Sequence, residues 1–484
     1  MNNTEIDYTR KWHVMTAVSM GTLLATIDGS IVNVALPTMV RELDTNFATV
    51  QWVVLAYLLT LAVLLLSIGR LADMVGKKQI YSTGLALFTV GSFLCGLSPN
   101  VYYLISFRVV QAVGATMMMA LGMAILTESF PPQERGKALG VGGTMVSVGI
   151  AIGPTLGGVI LDLLSWNWIF YVNLPIGIVG MILVTRFVPN LKPKGKQRFD
   201  FWGASTLFIS LLSFLFALTL GQNQGFLNYR TIALFCSWLV FLVLFIYIEQ
   251  HVEQPMLALG LFRNPLFSIN LITGFITFVA FAGTIILLPF FLENILDYDT
   301  KRVGLLLAVI PASMGIMAPI SGSLSDRFGT RRITLIGLGI LLFGYLTFTT
   351  ISGENTFFSL ILLLLPLGIG MGVFQSPNNS AIMGEAPPDR LGLVSGMLSL
   401  TRTLGQSTGI AVDGAIWAAL TIAAARPMMV FSATDAPPQA QISALQHTFI
   451  FIASIIFVAL LLALWAVIKE LKGRIDWQDV EPQN

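Results

Sequence analysis

Three ionisable side chains lie inside long apolar stretches of the chain. Asp28 lies about two-thirds of the way along the first stretch, Arg108 lies in another, and Asp413 lies deep in one near the C-terminus. A charged side chain at the centre of a bilayer costs about 2.5–3.5 kcal/mol on insertion scales, so such residues are candidates for function. A carboxyl group in this setting suits a site for protons or organic cations.

Structural roles for the same residues stay open. Asp28 could serve only to hydrogen-bond neighbouring helices, or it could lie near outer water. Asp413 could lie at a rim or join two helices. Arg108 keeps its proton and must pair with a carboxylate, a carbonyl or water, so it could simply hold backbone carbonyls. Arg402 lies three helical turns from Asp413, roughly 16 Å along one helix, which is too far for a direct pair.

Composition places these residues in a membrane. The chain has 484 residues, of which 55% are hydrophobic and 11% charged, whereas an ordinary soluble domain has about 25% charged residues. Its net charge of +2 is too small to indicate a nucleic-acid partner. Cys95 and Cys236 lie in apolar stretches and are expected to be buried rather than disulfide-bonded, and the three separate histidines predict no metal site.

Fourteen stretches are long and apolar enough to span a bilayer as helices. An even number places both termini on one side. Lys and Arg are about four times as frequent in the loops on that side, which predicts cytoplasmic termini and a protein of the cell (inner) membrane. The first stretch is too long for a signal peptide and is expected to be retained.

A repeated motif shows that the chain is internally duplicated. The pattern G-x-L-x-D-x-x-G-x-[KR] runs from Gly69 to Lys78 and again from Gly322 to Arg331. Parallel repeats of this kind build alternating-access transporters. The predicted organisation is a six-helix bundle at 1–190, a basic loop and two inserted helices at 191–262, and a second six-helix bundle with a cytoplasmic tail at 263–484.

Four motifs together resemble one transporter family. They are the segment around Asp28, the Gly69–Lys78 loop, the R-V-V-Q-A-V-G run that starts at Arg108, and a G-P-x-x-G-G run that starts at Gly153. In this combination the chain resembles the fourteen-helix drug:proton antiporters of the major facilitator superfamily, the EmrB/QacA-like group. The resemblance covers about residues 10–470. It implies an all-α major facilitator fold of two six-helix bundles plus two extra helices.

The resemblance assigns roles to sets of residues. Proton or substrate coupling is expected at Asp28, Arg108 and Asp413. A cytoplasmic gate, with a charge relay from Asp73 through Lys77 to Glu128, is expected at Gly69, Asp73, Gly76, Lys77, Glu128, Asp326 and Arg331. We expect Gly69 and Gly76 to allow a tight turn, although this loop could also be a static topological anchor.

Further polar and small residues complete the expected site. The antiporter motif, in which small residues permit close helix packing, comprises Gly149, Gly153, Pro154, Gly157 and Gly158. Residues that could line a cavity or an outer vestibule are Asn33, Gln111, Glu293, Gln375 and Asn378. Glu293 with Asp297 and Asp299 predicts an acidic vestibule or only a solvated loop.

The resemblance implies proton-coupled efflux of lipophilic, cationic compounds by alternating access. The expected partners are a small-molecule substrate, protons and membrane lipids, with a monomer as one possibility. No cofactor, metal or catalytic residue is expected, and no phosphate-binding motif indicates use of ATP. Export of lipids, fatty acids or another metabolite, proton-coupled import, and a receptor or scaffold without transport are the alternatives.

Overall fold

A computed structural model of the chain describes residues 10–131, 134–189, 200–252, 259–385, 391–425 and 432–478. Within these residues the regular structure is entirely helical. Hydrocarbon offers no partner for a free backbone N–H or C=O group, and a helix pairs these groups within one segment. The predicted all-α membrane protein is confirmed.

The helices divide into three groups along the chain. The first comprises α1 (Lys11–Glu42), α2 (Phe47–Val50), α3 (Trp52–Val75), α4 (Lys77–Gly96), α5 (Val101–Ser129), α6 (Arg135–Leu163), α7 (Trp168–Tyr171) and α8 (Asn173–Phe187). The second comprises α9 (Phe201–Gln224) and α10 (Tyr229–His251). The third comprises α11 (Pro265–Asn294), α12 (Thr300–Phe328), α13 (Thr330–Phe348), α14 (Phe357–Gly384), α15 (Leu391–Ala424) and α16 (Pro438–Gln478).

Twelve helical segments in the described residues are long and apolar enough to cross a membrane, not the fourteen predicted. Two long helices, α4 and α6, fall outside this set. Helix α4 begins with Lys77 and Lys78 and carries several short polar residues, and α6 is rich in glycine. The polar residues lower the mean hydropathy of α4. In α6 the apolar segment Val148–Leu163 is described, and several side chains before Val148 lie outside the described residues, so the counted segment is shorter than a span.

Equivalent pairs of helices pack together in the first and third groups. Helix α1 packs on α6 as α11 packs on α15, and α4 packs on α5 as α13 packs on α14. Likewise α3 packs on α5 as α12 packs on α14. The two groups therefore share one packing plan, as the repeated motif predicted. We call them the first half and the second half.

The two inserted helices lie at the side of this arrangement. Helices α9 and α10 pack mainly on each other, and α9 also touches α3 and α15. Most of α10 is exposed, including Cys236, which corrects the expectation that both cysteines are buried; Cys95 is buried, and both are free. The predicted boundary at 190 and the basic loop at 192–198 lie outside the described residues.

Glycines on α6 let this helix lie against α1. A Cβ atom added at Gly149, Gly153 or Gly157 would overlap atoms of α1, and Pro154 lies within the same helix. Without a hydrophobic driving force between helices in lipid, such close packing supplies much of the association energy. The predicted smooth face of α6 is therefore a packing surface for α1.

Gly158, the next glycine on α6, lies where the two halves meet. A Cβ atom added at Gly304 would lie 3.1 Å from the Cα atom of Gly158, and the Thr300 hydroxyl donates to the Gly158 carbonyl at 3.3 Å. Backbone therefore meets backbone where α6 crosses α12. Neither glycine can accept a side chain unless the two halves separate.

This contact gives a direct test of the packing. Changing Gly304→Ala should destabilise the protein by about 1–3 kcal/mol, because the added methyl group overpacks a backbone contact. A lower midpoint of thermal unfolding in detergent would show it. The control is Gly339→Ala on α13, where the new Cβ atom meets nothing within 4 Å. Equal midpoints for the two variants would contradict the described crossing.

Candidate functional site

The carboxylate of Asp28 is fully buried and bonded from three sides. The Arg108 guanidinium donates to Asp28 Oδ2 at 2.5 Å. The side-chain amides of Gln111 and Asn173 donate to Asp28 Oδ1 at 2.7 and 3.0 Å. Helices α1, α5 and α8 thus meet at one carboxylate, and its charge is matched inside the protein.

Arg108 is held as firmly as its partner. Only 1% of Arg108 is exposed, and its Nε atom donates to the Val53 carbonyl at 2.9 Å. The Tyr57 ring lies 4.2 Å from the guanidinium carbon, a distance suited to a cation–π contact. Both of the roles left open for Arg108, carboxylate partner and carbonyl anchor, occur together.

Gln111 and Ser92 extend this network. Gln111 accepts from Arg108 at 2.6 Å and donates to the Ser92 hydroxyl at the same distance. Gln111 was expected to line a cavity or vestibule, but it is fully buried within the ion-pair network. We call Asp28, Arg108, Gln111, Asn173 and Ser92 the polar cluster.

Asp413 lies in a very different environment. It is 0% exposed, and neither of its carboxylate oxygens has a hydrogen-bond partner among the described residues. A Cβ atom added at Gly283 would overlap the Asp413 carboxyl group, so α11 and α15 approach closely here. Burying an unmatched charge is costly, so this group has to be neutral or matched by a bound cation.

The repeated loop holds an ion pair in each half. Gly76 joins α3 to α4 with φ of 116°, and Gly329 joins α12 to α13 with φ of 90°. Just beyond these turns, Lys77 pairs with Glu128, and Arg331 pairs with Glu385 at 2.8 Å. Each pair ties the start of one helix to the end of another within the same half.

The predicted gate includes three further residues of the repeated loop, Gly69, Asp73 and Asp326. Gly69 lies inside helix α3, so the expectation that it forms the turn is wrong; the turn needs a positive φ only at Gly76. The Asp73 side chain lies outside the described residues, and the relay through it stays a prediction. Its counterpart Asp326 is exposed at the end of α12.

Glu293 does not form an acidic vestibule. Its side chain is 3% exposed and accepts from Arg41 at 2.8 Å, which joins the end of α11 to the end of α1. Asp299 instead caps α12 by accepting from the Arg302 backbone N–H. The vestibule expectation is corrected, because the carboxylate is taken up by a contact between halves.

The remaining predicted polar residues line two cavities. Asn33 lines a cavity of about 30 Å³ between the halves, beside Ser30 and Pro154. Gln375 and Asn378 line a cavity of about 90 Å³ in the second half, together with Arg402. Their expected position at a cavity agrees with the geometry, whereas their function stays a prediction.

Sequence reasoning missed several residues of the site. Asn173 and Ser92 carry no charge and gave no signal of a polar cluster. Glu385 could have been found, because it follows Glu128 at nearly the offset of the repeated motif. Arg41 follows the first apolar stretch, and nothing in its sequence neighbourhood points to Glu293.

Comparison with known proteins agrees with this geometry. The family model described as Major Facilitator Superfamily matches residues 18–410. The riboflavin transporter RibZ of Clostridioides difficile is 35% identical over 84% of this chain and 89% of its own. The multidrug resistance protein Stp of Mycobacterium tuberculosis is 32% identical over 87% of this chain and 78% of its own.

A solved structure has the same fold. A bacterial homologue of the human lysosomal transporter Spinster, in an inward-facing conformation, aligns with a TM-score of 0.68 over 96% of this chain and 98% of its own, at 17% identity. At that identity the likeness concerns the fold alone. The chain therefore belongs to the Major Facilitator Superfamily and is a multi-pass transporter of the cell membrane, not an enzyme.

Proposed function

We propose that the protein is a proton-coupled exporter of lipophilic small molecules that works by alternating access. The observation that carries this proposal is the polar cluster, in which a titratable carboxylate is fully buried against a guanidinium that keeps its charge. Relatives named as multidrug resistance or multidrug transporter proteins support the substrate class. We place the chain in the fourteen-helix drug:proton antiporter group, with no cofactor beyond the proton gradient.

The contacts between halves support a particular conformational state. The Arg41–Glu293 pair, the Gly158–Gly304 crossing and the packing of Phe47 on Phe290, with ring centroids 4.9 Å apart, lie toward the helix ends remote from the N-terminus of α1. At the opposite ends, the ion pairs among the described residues lie within one half. We infer that this conformation is closed on the remote side.

The topology proposal includes α4 and α6 as spans. They are 20 and 29 residues long, and their equivalents in the second half, α13 and α15, are long and apolar enough to cross a membrane. Fourteen spans place both termini on one side. The excess of Lys and Arg there makes that side cytoplasmic, and the conformation is then inward-facing.

The polar cluster gives a coupling mechanism. A proton that reaches Asp28 neutralises the charge that Arg108 matches, which weakens the bond between α1 and α5 and frees the guanidinium for another partner. Each proton that moves inward releases about 2.3 kcal/mol of free energy per 100 mV of membrane potential. Asp413 is a second proton-binding candidate, because its carboxyl group has no partner among the described residues.

The structure changes the argument for a cationic substrate. That prediction rested largely on Asp28 as a free carboxylate, but in this conformation Arg108 already matches its charge. We therefore define the substrate by its lipophilicity rather than by a positive charge. Export of a metabolite is the second candidate, favoured by the relative named as a riboflavin transporter.

Orientation can be tested by labelling from one side. In a Cys236→Ala background, Cys95 is too buried to react. Glu354→Cys, in the exposed loop before α14, should react with a membrane-impermeant maleimide on intact cells. Asp326→Cys, exposed at the C-terminal end of α12, lies on the predicted cytoplasmic side and should react only after permeabilisation. The reverse pattern would overturn cytoplasmic termini.

Coupling can be tested at Asp28. In proteoliposomes with an imposed pH gradient, Asp28→Asn should abolish accumulation of a lipophilic dye that the unaltered protein accumulates, because the amide cannot exchange a proton. Dye exchange without a gradient should persist and would show that the variant is folded. Asp162→Asn, which alters an exposed carboxylate on α6, is the control. Gradient-driven accumulation by Asp28→Asn would remove Asp28 from the mechanism.

The closed side can be tested at the Arg41–Glu293 pair. Changing Glu293→Gln removes the charge that Arg41 pairs with, so the halves should separate more often on that side. A cysteine at Asn33 should then react several-fold faster with an impermeant maleimide added outside. Arg302→Gln breaks the exposed Asp299–Arg302 pair within one half and is the matched control. Equal labelling rates in the two variants would contradict this gate.

A further inference from the structure

A second guanidinium lies in the membrane region without the partners that Arg108 has. Arg402 is partly buried on α15, and within the described residues it makes no ion pair or hydrogen bond. The Phe278 ring lies beside it, with its centroid 5.8 Å from the guanidinium carbon. A guanidinium cannot be neutralised in a protein, so its charge calls for a partner.

Arg402 lines the cavity of about 90 Å³ between α11, α14 and α15. One part of the wall is apolar, with the aromatic rings of Phe278 and Phe374 and the side chains of Leu271 and Ile382, and the other part is polar, with Gln375, Asn379, Ser399 and Thr401 beside Arg402 and Asn378. The cavity is much smaller than a drug-sized pocket of about 300–1,000 Å³. It has room for a head group, while the rest of a ligand would lie outside it.

A second polar group faces this cavity with an unmet hydrogen bond. Asn378 lines the cavity and is 3% exposed. Its Nδ2 atom donates to the Asn270 carbonyl at 3.1 Å, whereas its Oδ1 atom has no partner among the described residues. Buried polar groups in native proteins are usually paired. Arg402 therefore lacks an acceptor and Asn378 Oδ1 lacks a donor in one small cavity, so a ligand with an anionic group and a hydroxyl or N–H group beside it would satisfy both.

The charge of the cavity selects the ligand. No carboxylate lines the cavity among the described residues. Asp413 lies roughly 16 Å along the helix from Arg402 and cannot neutralise it. A cation would meet an unmatched positive charge here, whereas an anionic head group would supply the missing partner and could bind the guanidinium in a bidentate manner.

We propose that Arg402 binds the anionic head group of the transported compound and so determines specificity, with Asn378 beside it. This inference rests on the proposed function, since it names the substrate class for the same transporter. The substrate is then a lipophilic anion whose apolar body contacts the aromatic wall.

Two dyes that share a xanthene core test the proposal. Fluorescein is anionic and rhodamine 123 is cationic, and binding of each to the full-length protein in phosphatidylcholine nanodiscs can be followed by fluorescence anisotropy. Fluorescein should bind the unaltered protein more tightly than rhodamine 123 does, and Arg402→Gln should raise the Kd of fluorescein by about tenfold or more, because a hydrogen-bonded charge partner is lost. The Kd of fluorescein for Arg402→Lys should lie between the values for the unaltered protein and for Arg402→Gln, since lysine keeps the charge and loses the planar fork.

Controls make each outcome decisive. Arg302→Gln removes an exposed arginine outside the cavity and should leave fluorescein binding unchanged. No fluorescein binding by the unaltered protein, or an unchanged Kd in Arg402→Gln, would overturn the proposal. Loss of fluorescein binding when phosphatidylglycerol is added would assign the cavity to a lipid head group and overturn the substrate role. Binding needs no gradient, so failure of proton coupling would appear separately in the proteoliposome assay.

Discussion

Hydrocarbon cannot solvate a charge or a free backbone group, and this constraint governs the structure at every level. At the backbone level it leaves helix as the only form found in the described residues. At the side-chain level it requires each buried charge to find a partner within the protein. The Asp28–Arg108 pair meets this requirement fully, since five buried polar side chains share their hydrogen bonds around it.

The two halves meet the constraint in different ways. In the first half, opposite charges lie together and are hydrogen-bonded to each other and to neighbouring side chains. In the second half, Asp413 and Arg402 lie on one helix but too far apart to pair. A matched pair can be opened by a proton, and an unmatched group can take up a ligand. The duplicated packing plan therefore carries two different chemistries, one suited to coupling and the other to binding.

Small residues allow these polar groups to lie between tightly packed helices. The glycines of α6 bring it against α1 next to the segment that carries Asp28, and Gly158 brings it against α12 of the other half. A change in the bonding of Asp28 would thus act on a helix that is packed directly against the interface between halves. Since the Gly158–Gly304 crossing is a backbone contact, the halves separate or stay together there as rigid units rather than deforming gradually.

The helical fold, the membrane location and the internal duplication could be predicted from the sequence, because hydrophobic length and repeated motifs are local patterns. The number of spans differs from the prediction at α4, a long helix whose hydropathy is lowered by short polar residues, and at α6, of which only Val148–Leu163 is counted as apolar among the described residues. The motif around Gly76 predicted a turn correctly. It misled at Gly69, because nothing in the spacing of glycines tells which one takes a positive φ.

What the sequence determined by itself is which ionisable residues lie in hydrocarbon: Asp28, Arg108, Arg402 and Asp413 lie within apolar stretches. What only the tertiary structure decided is which of them are matched. Arg108 meets Asp28 across 80 residues of chain, Glu293 meets Arg41 across 252, and Asp413 meets no hydrogen-bond partner among the described residues. The reason is physical: a residue's cost in lipid follows from its own chemistry, whereas its partner depends on how distant helices pack.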